Sequence, residues 1–452
     1  MFASVFVVLL DMSRINSLCR YSQAMKLWCF ILVICLIISD SVTKNTRYVL
    51  YDVNPGEGFN LRRDVYMRMA VFVRKLNIED KDTRWVLVLP PWGHLYHWQT
   101  RDLGHQIKIP WRHFFDIPSL ARYVPVMEFE DWIEVSNGVV DSVHYLQGYK
   151  EGWGAKFEEK YDVRDCLEPA RYKRNKDGDY RGQFFFYDDV VAKKFQCLSV
   201  QGHTSVLSSF VRSQDGDSVM LDRAENLLHD FFGDADYWAA RRSMRFSSVL
   251  ESVAAEFRLA QLESSEQHDN TVKAGDWTAV TSVERSQRGG NYACVHMRRG
   301  DFARSRGGVP SVAWVGKQLV RRLADRKLDT LFVASDASEE EMATLRQTMT
   351  GVNIVRYTPS DRELALLKDG GVAIVDQIIC SHAQYFIGTR ESTFTFRIQE
   401  EREMMGFLLE DTFDMLCGEG ELECEGGTRW MIDWGQGRDW TLPPASDDRS
   451  DQ

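Results

Sequence analysis

An α/β protein of two similar halves is the fold class the sequence predicts, and three observations predict it. Short continuous apolar runs such as Trp85 to Leu89 follow stretches with apolar residues at helical spacing. That is how a parallel strand buried on both faces alternates with its covering helix. The alternation occurs in two blocks, separated by a stretch from Glu263 to Asn291 that is rich in Ser, Glu, Gln, Asp and Gly and marks the connection between them. Finally, 452 residues with 44% hydrophobic and 27% charged side chains suffice for two cores at near-average globular composition.

In the first block Arg47 to Asp52 reads as a strand and Asn54-Pro55-Gly56-Glu57-Gly58 as a turn. A helix follows, with Leu61, Val65, Met69, Phe72, Val73 and Leu76 on one face, and then the strand Trp85 to Leu89, bounded by Pro90-Pro91. In the second block Tyr292 to Met297 and Leu328 to Ser335 are strands, joined by a helix from about Val312 to Asp325. Val372 to His382 is expected as a helix, Gln384 to Gly388 as a strand, and Ser392 as the opening of another helix. The expected organisation is a leader over residues 1–41, halves over 42–250 and 251–440, and a polar tail over 441–452.

Leu27 to Ile38 is the strongly apolar run, too short for the roughly 20 residues that span a bilayer. With Met25-Lys26 before it and Ser39 and Ser41 after it, it reads as a signal-peptide core with Met25 as the start; a signal anchor using Phe2 to Leu10 is the rival. Cys19, Cys29 and Cys35 fall in the leader, leaving Cys166, Cys197, Cys294, Cys380, Cys417 and Cys424. Six cysteines allow about 15 pairings. The simplest framework is Cys166–Cys197 and Cys417–Cys424, with Cys294 and Cys380 as small buried hydrophobes inside apolar runs. The net charge of −11 argues against a nucleic-acid binder, which needs a basic face.

Ligands of open parallel sheets bind beyond the carboxyl ends of strands, and four groups are expected at such ends. The first is the Gly56-Glu57-Gly58 turn, where Glu57 could take a proton from a substrate hydroxyl and Asn60 could cap the helix. With Leu61 in place of a third glycine the turn is a weak dinucleotide fingerprint, and the P-loop ending is absent. The second is His296-Met297-Arg298-Arg299-Gly300-Asp301, whose guanidiniums suit a diphosphate; one is expected to face the cleft and the other to pair locally, with Asp301 as the nearest acid. Asp336 ends a third strand. The fourth is Ser392-Thr393-Phe394, where free N–H groups at a helix start make an anion site. Asp376 sits inside an apolar helix, where a carboxylate needs a partner or a ligand. His94, His97, His105 and His113 lack the Cys or carboxylate of a metal-ligand spacing. The pairs Asp80/Asp82, Asp177/Asp179, Asp215/Asp217 and Asp234/Asp236 are of the kind chance produces in an acidic chain.

Tyr51 to Asp64, Leu87 to Gly93 (LVLPPWG), Val219 to Asn226 (VMLDRAEN), His296 to Arg299, Lys368 to Ile374 (KDGGVAI) and Phe396-Arg397-Ile398 together resemble the GDP-fucose protein O-fucosyltransferase family over about residues 47–430. The resemblance implies a GT-B fold of two Rossmann-like domains, the second binding GDP-fucose in an interdomain cleft. It implies fucose transfer, with inversion and without a metal or other cofactor, to Ser or Thr of folded thrombospondin type 1 repeats. It also implies a monomer in the lumen of the endoplasmic reticulum, with no membrane contact in the mature form.

By motif, Glu57 corresponds to the proposed base, Gly56, Gly58, Phe59 and Asn60 to the donor and base loop, and His296, Met297 and Arg298 to the pyrophosphate strand end. Asp376 corresponds to the nucleoside-contacting acid, Ser392, Thr393 and Phe394 to the phosphate turn, and Glu401 to an acid needed for activity. Two positions depart: Gly56 stands where a second Pro is usual, and Gly300 where Lys is expected. The alternatives are transfer to EGF-like repeats or glycans, and a non-catalytic folding factor for the same partner domains.

Overall fold

The computed structural model describes residues 45–440 apart from 94, 99, 101, 102, 155, 170, 301, 303–308 and 422. The expected leader with its three cysteines, the polar tail, His94 and Asp301 lie outside the described residues. The first sheet contains β1 (Asn45–Tyr51), β2 (Thr83–Leu89), β3 (Val126–Glu128), β4 (Val139–Gln147), β5 (Lys160–Arg164), β6 (Lys173–Arg174), β7 (Tyr180–Arg181), β8 (Val191–Gln201) and β9 (Ser218–Asp222). They are ordered β3-β2-β1-β9-β4-β8-β7-β6, with β5 also on β8. The pairs β1/β9, β4/β9, β4/β8 and β2/β3 are parallel, as continuous apolar strands require. Beyond β8 the sheet turns antiparallel through β5, β7 and β6. These short polar strands carry no apolar run to announce them.

The second sheet contains β10 (Gly290–Met297), β11 (Thr330–Ser335), β12 (Asn353–Val355), β13 (Ala383–Gly388) and β14 (Asp414–Met415), in the order β12-β11-β10-β13-β14 and wholly parallel. The helices that place the site are α1 (Phe59–Glu79), α2 (Ala235–Ser243), α3 (Ser248–Leu262), α4 (Val312–Arg326), α5 (Glu339–Thr348), α6 (Asp361–Ser381) and α7 (Thr393–Met405).

Alternation along each strand divides the apolar residues between two faces. Leu50, Val88 and Met220 join one core, whereas Val49, Leu87, Leu89 and Leu221 join another. In the second sheet Val295, Met297 and Val333 pack against α4 residues, while Tyr292, Cys294, Phe332 and Ala334 enter the same core as Val49 and Leu87. One central core therefore serves both sheets, with a further core on the far side of each. Charge also crosses this junction. Arg63 of α1 donates to Gln377 of α6 at 2.7 Å, and Arg241 of α2 pairs with Glu400 and Glu401 of α7 at 2.5 and 2.9 Å.

Three sequence expectations change. Cys166–Cys197 and Cys417–Cys424 form as expected, but Cys294 and Cys380 form a third disulfide and are not free thiols. Packing of α6 on β10 brings their Cα atoms to 5.2 Å, within bonding range. The helix expected from Val372 begins at Asp361, because Ser360 and Glu363 form a capping box, and Lys368, at φ 60°, interrupts it. Asn60 does not cap α1, since Gly58 holds the N-cap position; its side chain instead accepts from Arg63 and Gln377 at 3.2 and 3.0 Å.

Candidate active site

The turn that follows β1 is held from within and from both sides. Glu57 N–H donates to the Asn54 carbonyl at 2.9 Å, and Gly56 N–H to Asn54 Oδ1 at 3.2 Å, an arrangement Asn favours. Arg62, one turn into α1, donates from Nε to the Glu57 carbonyl at 3.1 Å and from Nη2 to the Pro55 carbonyl at 3.4 Å. On the other side, Asn54 N–H donates to Glu225 Oε2 at 3.1 Å. The Glu57 side chain is half-buried. Burial first, then the Glu225 charge, raises its pKa, and Arg62 works against both. Gly56 is exposed. Phe59 is buried, with ring centroids 4.8 Å from Trp92 and 5.6 Å from Phe114, so it anchors the start of α1 in the core.

At the end of β10 successive residues face opposite ways. Met297 enters the core against α4. His296, buried on the α7 side, stacks on Phe394 with centroids 4.3 Å apart. Its Nδ1 lies 2.7 Å from Thr395 Oγ1, which donates its single proton to the Thr389 carbonyl at 3.0 Å. The hydroxyl therefore accepts from His296 Nδ1–H. Burial, then Arg298, pushes the imidazole down to about 3, so His296 is a neutral ring beneath the site. Gly388 makes room for this network, since a Cβ there would stand 2.5 Å from Thr395.

Arg298 N–H donates to Thr389 Oγ1 at 2.8 Å, and its guanidinium reaches Asp336 Oδ2 at 2.5 Å and His97 Nδ1 at 3.2 Å. Asp336, at the end of β11, also accepts Arg299 N–H at 2.7 Å. The position expected to hold Lys is Gly300, with φ 30°, where a Cβ would meet Asp336 Oδ2 at 2.5 Å; glycine there lets Asp336 reach both arginines. Arg299 turns away to pair with Glu341 at 2.8 Å; Asp301, the acid expected beside it, lies outside the described residues. A cavity of about 330 Å³ opens beyond β10 and β13, lined by Met297, Arg298, Thr389, Arg390 and the Cys417–Cys424 disulfide.

Ser392 holds the N-cap position of α7 without a side-chain cap bond, contrary to the expected cap; Thr393 is exposed. The positive end of the α7 dipole faces the same strand ends. On α6, Asp376 Oδ1 is enclosed without a hydrogen-bond partner. Arg356, which lowers its pKa against burial, donates to the Ser335 carbonyl at 2.8 Å, next to Asp336. Glu401 lies apart from these groups, buried two turns into α7 between Arg241 at 2.9 Å and Lys273 at 3.5 Å. Among the described residues no group of three or more His, Cys, Asp or Glu converges as metal ligands, and no helix is long and apolar enough to cross a membrane.

Four residues contribute without a motif signal of their own. His97 belongs to a histidine cluster without metal-ligand spacing, yet a side chain on Gly58 would meet its ring at 3.6 Å while its Nδ1 meets Arg298. Glu225 belongs to the VMLDRAEN block, to which spacing assigns no chemistry. Thr389 lies just beyond β13 and Thr395 in the first turn of α7, where several hydroxyl residues fall close together in sequence.

A sequence profile of the family described as GDP-fucose protein O-fucosyltransferase matches residues 48–405. The protein named GDP-fucose protein O-fucosyltransferase 2 of Homo sapiens is 46% identical over 400 residues, covering 88% of this chain and 92% of the human protein. The protein of that name from Caenorhabditis elegans is 42% identical over 402 residues, covering 87% and 91%. A crystal structure of POFUT1 in complex with GDP-fucose aligns with a TM-score of 0.51 at 16% identity, covering 83% of this chain and 99% of that one. At such identity the likeness bears on the fold, which is α/β and GT-B-like.

Proposed function

Since the chain belongs to the GDP-fucose protein O-fucosyltransferase family, and is accordingly an enzyme that fucosylates protein from GDP-fucose, we propose that its acceptors are Ser or Thr of folded thrombospondin type 1 repeats, reached by one inverting displacement. The Glu57 carboxylate accepts the proton of the acceptor hydroxyl as its oxygen attacks the anomeric carbon. The bond from that carbon to the diphosphate oxygen breaks, and its electron pair leaves with GDP. Arg298 and the N-terminus of α7 stabilise the growing negative charge, while neutral His296 supports the floor. Asp376 meets the nucleoside base, and Gly56, Gly58, Ser392 and Thr393 let the backbone approach the donor.

The observation that carries this reading is His97, a single side chain against both the base turn and Arg298. It supports reading the Glu57 turn and Arg298 as neighbours in one site. Glu401 acts through α7, by holding the helix whose N-terminus faces the donor. The resemblance implies a monomer with no metal requirement in the lumen of the endoplasmic reticulum; three disulfides accord with an oxidising compartment.

The test is incorporation of labelled fucose into a folded thrombospondin repeat, beside an EGF-like repeat and a free glycan. Arg298→Ala and Glu57→Ala should each lose at least about 100-fold in kcat with unchanged melting. Near-normal turnover by either variant, or preference for another acceptor, contradicts the corresponding part of the reading.

A further inference from the structure

The VMLDRAEN block carries part of the family resemblance, yet the displacement gives its residues no task. Strand β9 ends at Asp222, Arg223 turns the backbone at φ 66°, and a short 3-10 turn over Ala224–Asn226 follows. A bulky residue in the left-handed region is uncommon and needs support from its surroundings. Because β1 and β9 are parallel neighbours with Tyr51 opposite Leu221, the two following turns lie side by side. Ala224 N–H donates to the Asp52 carbonyl at 2.9 Å.

Within that contact Glu225 is the long-range anchor of the base turn. Its Oε2 accepts Asn54 N–H at 3.1 Å, and Arg223 stands 3.6 Å from its Oε1. Its own carbonyl accepts Arg68 Nη1 at 3.2 Å, while Arg68 Nη2 donates to Asp64 Oδ2 at 2.6 Å. Asn54 opens the turn that carries Glu57, while Arg62 grips the Pro55 and Glu57 carbonyls. The turn is thus clamped at its start by an acid from the turn after β9 and further on by an arginine from α1.

We propose that Glu225 is a positioning residue for the transfer reaction, fixing the Asn54–Gly58 turn and setting a second carboxylate beside Glu57. The inference rests on the reading of Glu57 as the base. The groups facing Glu57 are Glu225, Arg62, Arg223 and Arg68, with half-buried Asp52 and buried Asp222 behind them. Glu225 raises the proton affinity of Glu57, and the three arginines lower it. Removing the Glu225 charge while keeping an acceptor for Asn54 N–H therefore weakens the base, which stays ionised to lower pH.

Two variants separate placement from charge, assayed in the full-length enzyme with GDP-fucose and a folded acceptor. Glu225→Gln is expected to fold normally, to retain most of kcat at neutral pH, and to move the acid limb of the kcat profile to lower pH. Glu225→Ala, lacking the acceptor, should lose about tenfold or more in kcat with the KM for GDP-fucose little changed. Should Glu225→Ala fail to fold, the pH profile of Glu225→Gln decides alone. A Glu225→Gln profile that superimposes on the wild type overturns the proposal, as does Glu225→Ala with wild-type kcat. Glu57→Ala in the same assay keeps the two readings apart. If it is inactive while the Glu225 variants behave as wild type, only this proposal falls; if it is active, the base assignment falls.

Discussion

Asp376 poses a burial problem that the proposed contact with the nucleoside base would resolve. Its helix buries Ile374, Val375 and Ile378, and Oδ1 has no partner. Burial, offset in part by Arg356, pushes the carboxyl up to about 8, so at neutral pH the free protein holds it protonated. Guanine offers N–H donors along its edge, which an ionised carboxylate accepts through both oxygens with the help of its charge, whereas a protonated acid has one oxygen turned donor. Binding of GDP at pH 7 is therefore expected to release about one proton per site, read by calorimetry in buffers of different ionisation enthalpy. Asp376→Asn should abolish the release and weaken GDP by about 10- to 100-fold. The folded-state pKa is raised, so this residue stabilises the free enzyme most below the ordinary carboxylate range, and that contribution is lost as pH rises through about 8.

At the scale of the element, α6 explains why the KDGGVAI block has its composition. Lys368 at φ 60° breaks the helix into two pieces. Asp369 holds the break from the other half, accepting Thr100 N–H and Gln106 Nε2 at 3.2 and 3.0 Å. Beyond it, a Cβ on Gly370 would stand 2.7 Å from both Phe114 and Trp98, and one on Gly371 3.1 Å from Leu250. The glycines thus let α6 close against the first half. Alanine would gain up to about 1 kcal/mol of helix propensity, but the overlap falls on packed rings, where overpacking costs about 1–3 kcal/mol. Overlap should win: Gly370→Ala is expected to lower the denaturation midpoint without changing the slope. The sequence showed the helix through its apolar spacing and placed Asp376 within it. It also held the Ser360-x-x-Glu363 signal of the true start, which the interruption at Lys368 detached from the periodic part. The partners of Asp369 lie more than 250 residues away, and no local pattern announces them.

For the whole molecule the same distinction holds. The strands β1, β2, β10, β11 and β13 follow from continuous apolar runs, whereas the order in which they pair does not, and Glu57 and Arg298 stand out because turn and strand-end chemistry is local. The junction was not legible, since its charges are ordinary residues of α1, α2 and α7 until the halves meet. There Arg241 binds Glu400 and Glu401, Arg397 binds Glu400 at 3.0 Å and Asp64 at 3.4 Å, and Lys273 reaches Glu401. Burial alone would raise the Glu401 pKa, but Lys273 and Arg241 outweigh it and bring it down to about 2. A depressed carboxylate stabilises the fold above its unfolded pKa, in the ordinary glutamate range, and the stabilisation is lost as pH falls toward about 2. The contribution is on the order of 3 kcal/mol, comparable with the 3–5 kcal/mol that removing one partner of a buried pair typically costs. Wild-type stability should therefore fall as pH drops below about 4.5, with a shallower fall in Glu401→Gln, whose melting temperature is already lower at pH 7. Thermal melts across that range, set beside kcat per folded enzyme, separate a junction role from a chemical one: lower stability with retained kcat fits a residue that holds α7, whereas normal stability with lost kcat would make Glu401 part of the chemistry.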